Sequence, residues 1–198
     1  ARVFLIIGFP NETYRMLLDT INVAKEMDLD WYNITILQPL PNTPIFDTMV
    51  QLGLIGAVEA EEIRYNSGPY GKKRQAMQNN RHENFANPFE NVNLDDIPPK
   101  EALDSIWMYM NFHLNFNRLL SLENPIKQEI QLKYLRYVTE LVAPDDPFPL
   151  YFRIQLHKKV HRQVDIKLMD RLEKRLSTSE YWTSAFERFD LSLSQINT

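Results

Sequence analysis

Cysteine is absent from the 198 residues of this sequence. The absence excludes disulfides, thiolate nucleophiles, zinc–thiolate sites and iron–sulfur ligation by the chain itself. It also favours an intracellular protein, because secreted domains often rely on disulfides, and we expect a cytoplasmic location. Glycine is scarce as well, with five residues against twelve prolines.

Neither sign of charge is in marked excess. The chain has 22 Lys and Arg and 26 Asp and Glu, and the net charge of −4 disfavours a nucleic-acid partner. No apolar run approaches the roughly 18 residues that span a bilayer, and no signal peptide is visible, so we expect no membrane partner. Eleven Phe, nine Tyr and three Trp are too many for a solvated coil and predict a packed core.

Within residues 3–37 the spacing of the apolar residues changes from strand-like to helix-like and back to strand-like. Residues 3–7 are a continuous β-branched and aromatic run, typical of a strand that is buried on both faces. Residues 31–37 have a similar strand-like character. An apolar helical stripe separates the two, formed by Tyr14, Leu17, Leu18, Ile21 and Ala24. We therefore predict a βαβ unit whose two strands are parallel.

The sequence predicts three regions. Residues 1–55 hold the βαβ unit and a short helix at 45–54, which Gly53 ends. Residues 56–99 have few periodic apolar positions and many turn-forming residues, which predicts a long loop or lid. Residues 100–198 are expected to form a mostly α-helical C-terminal region. Because the chain opens without Met and inside an apolar run, we expect it to be a fragment of a longer protein.

The first part of the C-terminal region predicts two helices. Residues 100–120 carry apolar side chains on one face and further aromatic ones beside it, so this helix is expected to be buried on most sides. Asn124 and Pro125 form a good cap and first-turn pair for a second helix that runs to about Val142.

Prolines and a serine-containing segment separate the predicted helices in the rest of the C-terminal region. Three prolines at 144, 147 and 149 predict a rigid connector. Residues 156–176 repeat Leu or Val at every fourth position, and such a stripe winds round a straight helix, so we expect either a break near Val164 or a helix that wraps round its partner. Residues 177–180 form a capping box that opens a last short helix.

Gly8 stands where the first predicted strand meets the helix. A glycine at the carboxyl end of a parallel strand lets a ligand approach the backbone, and α/β folds bind their ligands at that end. The alternative is a tight strand-to-helix turn in which Glu12 favours the helix dipole. Because short glycine motifs occur in many unrelated turns, the residues alone favour the tight turn.

Residues 6–13 read Ile-Ile-Gly-Phe-Pro-Asn-Glu-Thr. This segment resembles the fifth barrel strand of radical S-adenosylmethionine enzymes, written GxIxGxxE or, in the methylthiotransferase and cobalamin-binding branches, GFPGET. Residues 30–45 resemble the sixth strand of the same family and its PxPGTP-like exit. The similarity covers about residues 2–55, with two motifs in the family's order and spacing.

The resemblance implies an α/β fold: one parallel βαβ unit from the last third of a partial TIM-like (β/α) barrel, followed by the helical region. It implies that Ile6 packs against the adenine of S-adenosylmethionine and that Gly8 leaves room for it. Glu12 belongs to the same motif, and Gln38 and Leu40 lie close to the same ligand.

The resemblance also implies an activity for the parent protein. It would use an iron–sulfur cluster and S-adenosylmethionine to generate a 5′-deoxyadenosyl radical and so oxidise or methylate an unreactive carbon of a small-molecule substrate. The similarity is greatest to the cobalamin-binding, oxidative-cyclase-like branch, in which an upstream domain holds cobalamin.

The chain departs from the family pattern at several positions. Phe4 stands where the first glycine of GxIxGxxE is expected, and Asn11 and Asn42 replace glycines of the two other motifs. The cluster motif CxxxCxxC, which the family places on its first barrel strand, is absent. We therefore expect the chain to be inactive by itself and to need the N-terminal barrel of the parent as its partner.

His157 and His161 lie four residues apart on a predicted helix, and Asp165 lies four further on. This is a spacing at which metal ligands can lie side by side. The alternative is a solvated basic face, because residues 153–175 hold eight Lys and Arg against three Asp and Glu. So many cations disfavour a metal, and we predict no metal ligand in the chain. The stripe is also compatible with phosphate, RNA or an acidic partner, although such runs usually only solvate a face.

Other candidate residues carry weaker signals. His113 lies among aromatic residues, which favours a core role over that of a general base. The basic residues 72–74 lie in the predicted loop and could touch an anionic substrate, but flexible basic loops are common. No Ser-His-Asp set, P-loop or paired-carboxylate site follows from the spacing, so we assign no catalytic residue.

Two functions from different classes remain. The first is the C-terminal part of a radical S-adenosylmethionine enzyme. The second is a non-enzymatic helical protein-interaction module, favoured by the helical character of residues 100–190 and their lack of a polar constellation. With either function, two parallel strands alone leave their edges uncovered, so we expect self-association by strand pairing between copies.

Overall fold

The computed structural model describes residues 1–27, 29–54 and 87–197. Within them the fold is mixed and mostly helical, with one two-stranded parallel sheet. The chain forms two compact units, Ala1–Asn111 and Phe112–Thr198, so the second unit begins twelve residues after the predicted start of the helical region. Most of the predicted loop 56–99, with the basic residues 72–74, lies outside the described residues.

The first unit begins with a βαβ arrangement. Strand β1 is Arg2–Ile7, helix α1 is Tyr14–Met27 and strand β2 is Trp31–Ile36. The strands pair in parallel from Arg2 beside Trp31 to Ile7 beside Ile36. The predicted βαβ unit is therefore confirmed.

Helix α1 buries one stripe of its surface. The buried side chains are Tyr14, Leu17, Ile21 and Ala24, all of which belong to the predicted stripe. The Tyr32 hydroxyl of β2 donates to the Ala24 carbonyl and accepts the Leu29 N–H at 3.1 Å. This hydrogen bonding ties α1 to the face of the sheet on which Tyr32 lies.

Two further helices belong to the first unit. Helix α2, Pro44–Gln51, is capped by Thr43 and is followed by Gly53 at φ +68°, close to the predicted helix at 45–54. Helix α3, Lys100–Asn111, places the Trp107 indole N–H 2.7 Å from the Ile34 carbonyl. Leu37, whose N–H donates to the Ile7 carbonyl, and the other odd-numbered residues of β2 direct their backbone groups toward β1. The Ile34 carbonyl therefore points away from β1, and α3 lies along the other edge of β2.

The second unit is helical. A π-helical segment and a 3₁₀ turn open it, and a second π-helical segment follows its first α-helix. In chain order its elements are Phe112–Phe116 (π), Asn117–Ser121 (3₁₀), α4 Pro125–Tyr137, Val138–Val142 (π), α5 Pro147–His161, α6 Ile166–Ser177, α7 Glu180–Arg188 and α8 Ser194–Asn197.

Three sequence predictions in this region need correction. The helix predicted at 100–120 is α-helical only to Asn111; a π-helical segment and a 3₁₀ turn follow, and Phe112 and Phe116 of the π-helical segment both pack against Phe152. The rings of Phe116 and Phe152 are stacked, with centroids 5.4 Å apart.

The other two corrections concern helix starts. Pro147 and Pro149 lie in the first turn of α5 rather than in a connector, because a proline there has no intrahelical N–H partner to lose. Ser179, not Ser177, caps α7 and accepts the Trp182 N–H. The predicted break near Val164 is confirmed, since α5 ends at Arg162 in the left-handed conformation at φ +58°.

Aromatic side chains dominate the core of the second unit. Phe148 and Phe152 of α5 are completely or almost completely buried and pack against rings from the neighbouring segments.

Among the described residues no helix combines the length and the apolar character that crossing a lipid bilayer requires.

Candidate functional site

The turn after β1 is closed by the side chain of Glu12. Its Oε2 accepts the backbone N–H of Gly8 at 2.6 Å and that of Phe9 at 3.3 Å. The Glu12 N–H in turn donates to the Phe9 carbonyl at 3.0 Å. Gly8 takes φ +89°, a conformation that glycine adopts without a steric cost. The strand therefore ends in a compact turn whose exposed donors already have an acceptor.

Burial and hydrogen bonding act on Glu12 in opposite directions. Burial of the carboxyl raises its pKa, while the N–H groups of Gly8 and Phe9 favour the charged form and lower it. Burial is the larger effect, so the pKa of Glu12 lies above its ordinary value. The turn thus holds a half-buried acid whose proton affinity exceeds that of a surface glutamate.

The space beside Gly8 is filled from α3. A Cβ at this position would lie 2.9 Å from the Leu103 Cδ1, which is closer than real side-chain contacts allow. The resemblance assigned this room to an adenine ring, whereas in this structure the neighbouring group is the Leu103 methyl. No local signal around residue 8 could have identified Leu103, because 95 positions of sequence separate the two residues.

On the sheet face that carries Phe4 and Ile6, these two side chains are exposed, whereas Trp31 at the start of β2 is buried. Phe4 is 76% exposed and Ile6 is 47% exposed, while Ile7 on the other face is completely buried. The prediction that β1 is buried on both faces is therefore wrong for this chain. The reason is that α1 lies on the other face, with Tyr32 and Ile7, and the described residues leave Phe4 and Ile6 largely uncovered.

The exit of β2 lies beside the end of β1. The Leu37 N–H donates to the Ile7 carbonyl at 2.8 Å, which places the following Gln38 and Leu40 at the same end of the sheet. Gln38 is half-buried and the Leu40 side chain is 50% exposed.

The turn beyond that exit is held by Thr43. Its hydroxyl donates to the Leu40 carbonyl at 2.7 Å. Asn42, which stands where the family motif has glycine, has φ +65° and so takes the left-handed conformation that the glycine would supply.

The five residues that the resemblance implicates thus share one end of the sheet. Gly8 and Glu12 are joined by a hydrogen bond, and Ile6 lies two residues before them with an exposed apolar side chain. Gln38 and Leu40 follow the neighbouring strand. The arrangement offers apolar surface from Ile6 and Leu40, and a half-buried carboxyl from Glu12.

The histidine pair of α5 belongs to the second unit. The rings of His157 and His161 have centroids 4.5 Å apart, and the His157 Nδ1 lies 3.1 Å from the Gln163 carbonyl. Asp165 is not on the same helix: it caps α6 by accepting the Leu168 N–H at 3.2 Å. Within the described residues no group of three or more potential metal-binding side chains comes together.

The basic stripe is largely engaged in hydrogen bonds within the second unit. Lys159 pairs with Glu123 at 2.7 Å, Lys158 donates to the Ile196 carbonyl at 2.7 Å and Arg175 pairs with Asp145. His113, as the sequence favours, packs against an aromatic ring: its centroid lies 5.0 Å from that of Phe112. The hydrogen bonds and ion pairs of Lys158, Lys159 and Arg175 join α5 and α6 to other segments of the second unit.

Comparison with known proteins finds no similar family, no similar curated protein and no similar solved structure.

Proposed function

We propose that this chain supplies part of the S-adenosylmethionine-binding wall of a radical S-adenosylmethionine enzyme. The observation that carries the proposal is the exposure of Ile6 beside the Gly8 turn, on the sheet face opposite α1. In a (β/α) barrel the helices lie outside, the opposite face of each strand lines the interior, and ligands bind at the carboxyl ends of the strands. The choice of this family of barrel enzymes rests on the resemblance of residues 6–13 and 30–45 to its motifs.

The exposed side chains of the sheet support the proposal that this chain forms only part of a barrel. Parallel sheets are normally covered on both faces, and two parallel strands cannot cover their own. Phe4 and Ile6 leave apolar surface open where further strands and their side chains would close it. The partner that fits this role is the N-terminal barrel of the parent protein.

The residues at the site fit the adenine of S-adenosylmethionine through apolar contact. Ile6 and Leu40 offer exposed aliphatic surface, which suits the face of a purine ring. The N–H groups of Gly8 and Phe9 already donate to Glu12, so these two groups are not offered to a ligand as hydrogen-bond donors. Because Leu103 fills the space beside Gly8, we assign the adenine contact to Ile6 and Leu40.

The residues of this chain do not fit an iron–sulfur cluster, because no thiolate is present in the sequence. Reductive cleavage of S-adenosylmethionine therefore belongs to another part of the parent. The contribution of this chain is to bind and position the nucleoside. Cobalamin, if the parent uses it, belongs to an upstream domain.

The coding sequence upstream of Ala1 tests the proposal. We expect an open reading frame that continues into further βα units and contains CxxxCxxC on the first strand of the barrel. An intact frame without that motif would overturn the proposal.

A second candidate is a helical protein-interaction module, which an exposed apolar stripe on α4 favours. Ile126 is 73% exposed and Leu141, in the following π-helical segment, is 74% exposed; Ile130 and Tyr137 lie between them and are also exposed. Solvent-facing side chains of this size in one row are typical of a binding face. The stripe lies in the second unit, so this function does not require the barrel.

A paired substitution separates the two candidates. For the module, a stoichiometric partner that binds the full chain should be lost by the Ile126→Glu, Leu141→Glu variant and retained by a Val23→Glu control on α1. For the enzyme, S-adenosylmethionine binding by the parent should be unchanged by the same pair of substitutions.

A further inference from the structure

His157 and His161 lie one helical turn apart on α5, at the surface of the second unit. His157 is half-buried, and His161, the last residue of the helix, is exposed. Their ring centroids are 4.5 Å apart and their ring planes meet at 54°. Because residues four apart on a helix are neighbours on its surface, the two rings occupy the same patch.

A backbone carbonyl determines which nitrogen of His157 is able to bind a ligand. The Nδ1 atom lies 3.1 Å from the Gln163 carbonyl, and a carbonyl can only accept a hydrogen bond. In the neutral ring the proton is therefore on Nδ1, and the lone pair is on Nε2. A histidine that donates one ring N–H to a backbone carbonyl is the usual arrangement of a metal ligand, because the hydrogen bond fixes the tautomer and the ring orientation.

The separation of the two rings fits the binding of one metal ion by both. With metal–nitrogen bonds of about 2.0–2.1 Å, the centroid of a bound imidazole lies about 3.2 Å from the metal. Two such rings have centroids about 4.5 Å apart when the angle at the metal is about 90°, and about 5.2 Å apart at the tetrahedral angle. The observed 4.5 Å corresponds to the right angle of tetragonal sites, which copper(II) and nickel(II) prefer.

Two cations next to the pair are offset by carboxylates. Arg153, one turn before His157, pairs with Glu140 at 3.2 Å. Lys159, between the two histidines in sequence, pairs with Glu123 at 2.7 Å. The count of basic residues in the sequence therefore overstates the positive charge that a metal ion would meet at the pair, and the argument against a metal loses much of its force.

We propose that His157 and His161 bind one divalent transition-metal ion through one ring nitrogen each. Copper(II) and nickel(II) suit the pair through their angle, and nitrogen sites bind copper(II) most tightly of the first-row divalent ions. Since the described residues bring no third potential ligand to the pair, water would fill the other positions. The proposal is independent of the proposed function, because it uses only residues of the second unit.

Isothermal titration calorimetry of the full chain, without an added polyhistidine segment, tests the site with nickel(II) chloride. The natural chain should bind one ion per molecule, and His161→Gln should weaken binding by about tenfold or more, because one of two ligands is lost. Magnesium chloride should give no binding, since magnesium prefers oxygen ligands.

His82→Gln is the matched control, because it removes an imidazole from another part of the sequence. This variant should bind nickel(II) like the natural chain. A natural chain that does not bind nickel(II), equal affinity of the natural chain and His161→Gln, or loss of binding in His82→Gln instead would overturn the proposal.

Electron spin-echo envelope modulation of the copper(II)-loaded chain counts the bound imidazoles. Two equatorial imidazoles give combination lines that a single imidazole does not. The natural chain should show these lines, and His157→Gln and His161→Gln should both lose them while keeping the far-ultraviolet circular dichroism of the natural chain. Combination lines that persist in either variant, or a natural chain with the signal of one imidazole, would contradict the proposal.

Discussion

The Glu12 carboxylate accepts the Gly8 backbone N–H at 2.6 Å, and this one hydrogen bond closes the strand-to-helix turn of the first unit. The same carboxyl is half-buried, and burial raises its pKa despite the hydrogen bonds that it accepts. Its ionised form is therefore held in the folded turn at a cost. That cost makes the stability of the first unit depend on pH.

Glu12→Gln should change the pH dependence of folding in a defined direction. A carboxyl whose folded pKa is raised contributes stability that is present below its ordinary pKa and is lost as pH rises through the raised value. Glutamine keeps an acceptor oxygen for the Gly8 N–H but does not titrate. The free energy of unfolding of Glu12→Gln minus that of the natural chain should therefore increase from pH 4 to pH 8, because the natural chain loses stability over this range and the variant does not.

Urea unfolding at pH 4, 6 and 8 measures this difference. Carboxyls such as Asp95 and Glu140, whose pKa values are lowered by arginine partners, are common to both proteins and cancel in the comparison. A difference between the two proteins that stays constant with pH would contradict the expected role of burial.

Gly8→Ala should destabilise the first unit for two separable reasons. The left-handed backbone at φ +89° costs a residue with a side chain roughly 1–2 kcal/mol. The new Cβ would also lie 2.9 Å from the Leu103 Cδ1. Leu103→Ala should remove the second cost and leave the first, so the two substitutions should be coupled in a double-mutant cycle.

Gly53→Ala is the matched control for the backbone cost. Gly53 has φ +68° and no heavy atom within 4 Å of an added Cβ. Its substitution should therefore cost less than Gly8→Ala and about as much as Gly8→Ala in the Leu103→Ala background. An equal loss for Gly8→Ala and Gly53→Ala in the natural chain would show that Leu103 does not restrict the turn.

The βαβ unit could be predicted because its determinants are local. The stripe that includes Leu17 and Ile21 requires only helical periodicity, and the Asn124 cap only a residue type and its neighbour. The break between α5 and α6 was one of the two outcomes that the drift of a four-residue repeat predicted. Each of these features depends on residues that are close in sequence.

The environment of the site could not be predicted because it depends on distant residues. Leu103 approaches Gly8, and Trp107 covers the edge of β2, from a helix that begins more than sixty residues after that strand. The burial of β1 was wrongly predicted because an apolar run fixes the strand but not the number of layers that cover it. Local sequence also gave no sign that Arg171 contacts the turn after α4.

Arg171→Met should destabilise the second unit. The Arg171 guanidinium donates to the Thr139 carbonyl at 2.6 Å and also to the Pro144 carbonyl, on either side of the point where the π-helical segment after α4 ends. Methionine keeps much of the aliphatic stem but leaves both carbonyls without this donor. We expect a loss of about 1–3 kcal/mol in the free energy of unfolding.

Lys174→Met on the same helix is the control. Lys174 is exposed and its replacement should change stability by less than about 0.5 kcal/mol. Urea denaturation of the three proteins measures the difference. Equal stability of Arg171→Met and Lys174→Met would show that the turn does not depend on the guanidinium.

Equilibrium binding of S-adenosylmethionine to the intact parent protein tests the central claim most directly. Ile6→Asp, which places a charge on the exposed face of β1, should weaken binding by about tenfold or more through loss of apolar contact. Val23→Asp, on the 57% exposed side chain of α1, should bind like the natural protein. Equal affinity of the two variants, or a parent that does not bind S-adenosylmethionine, would contradict the account.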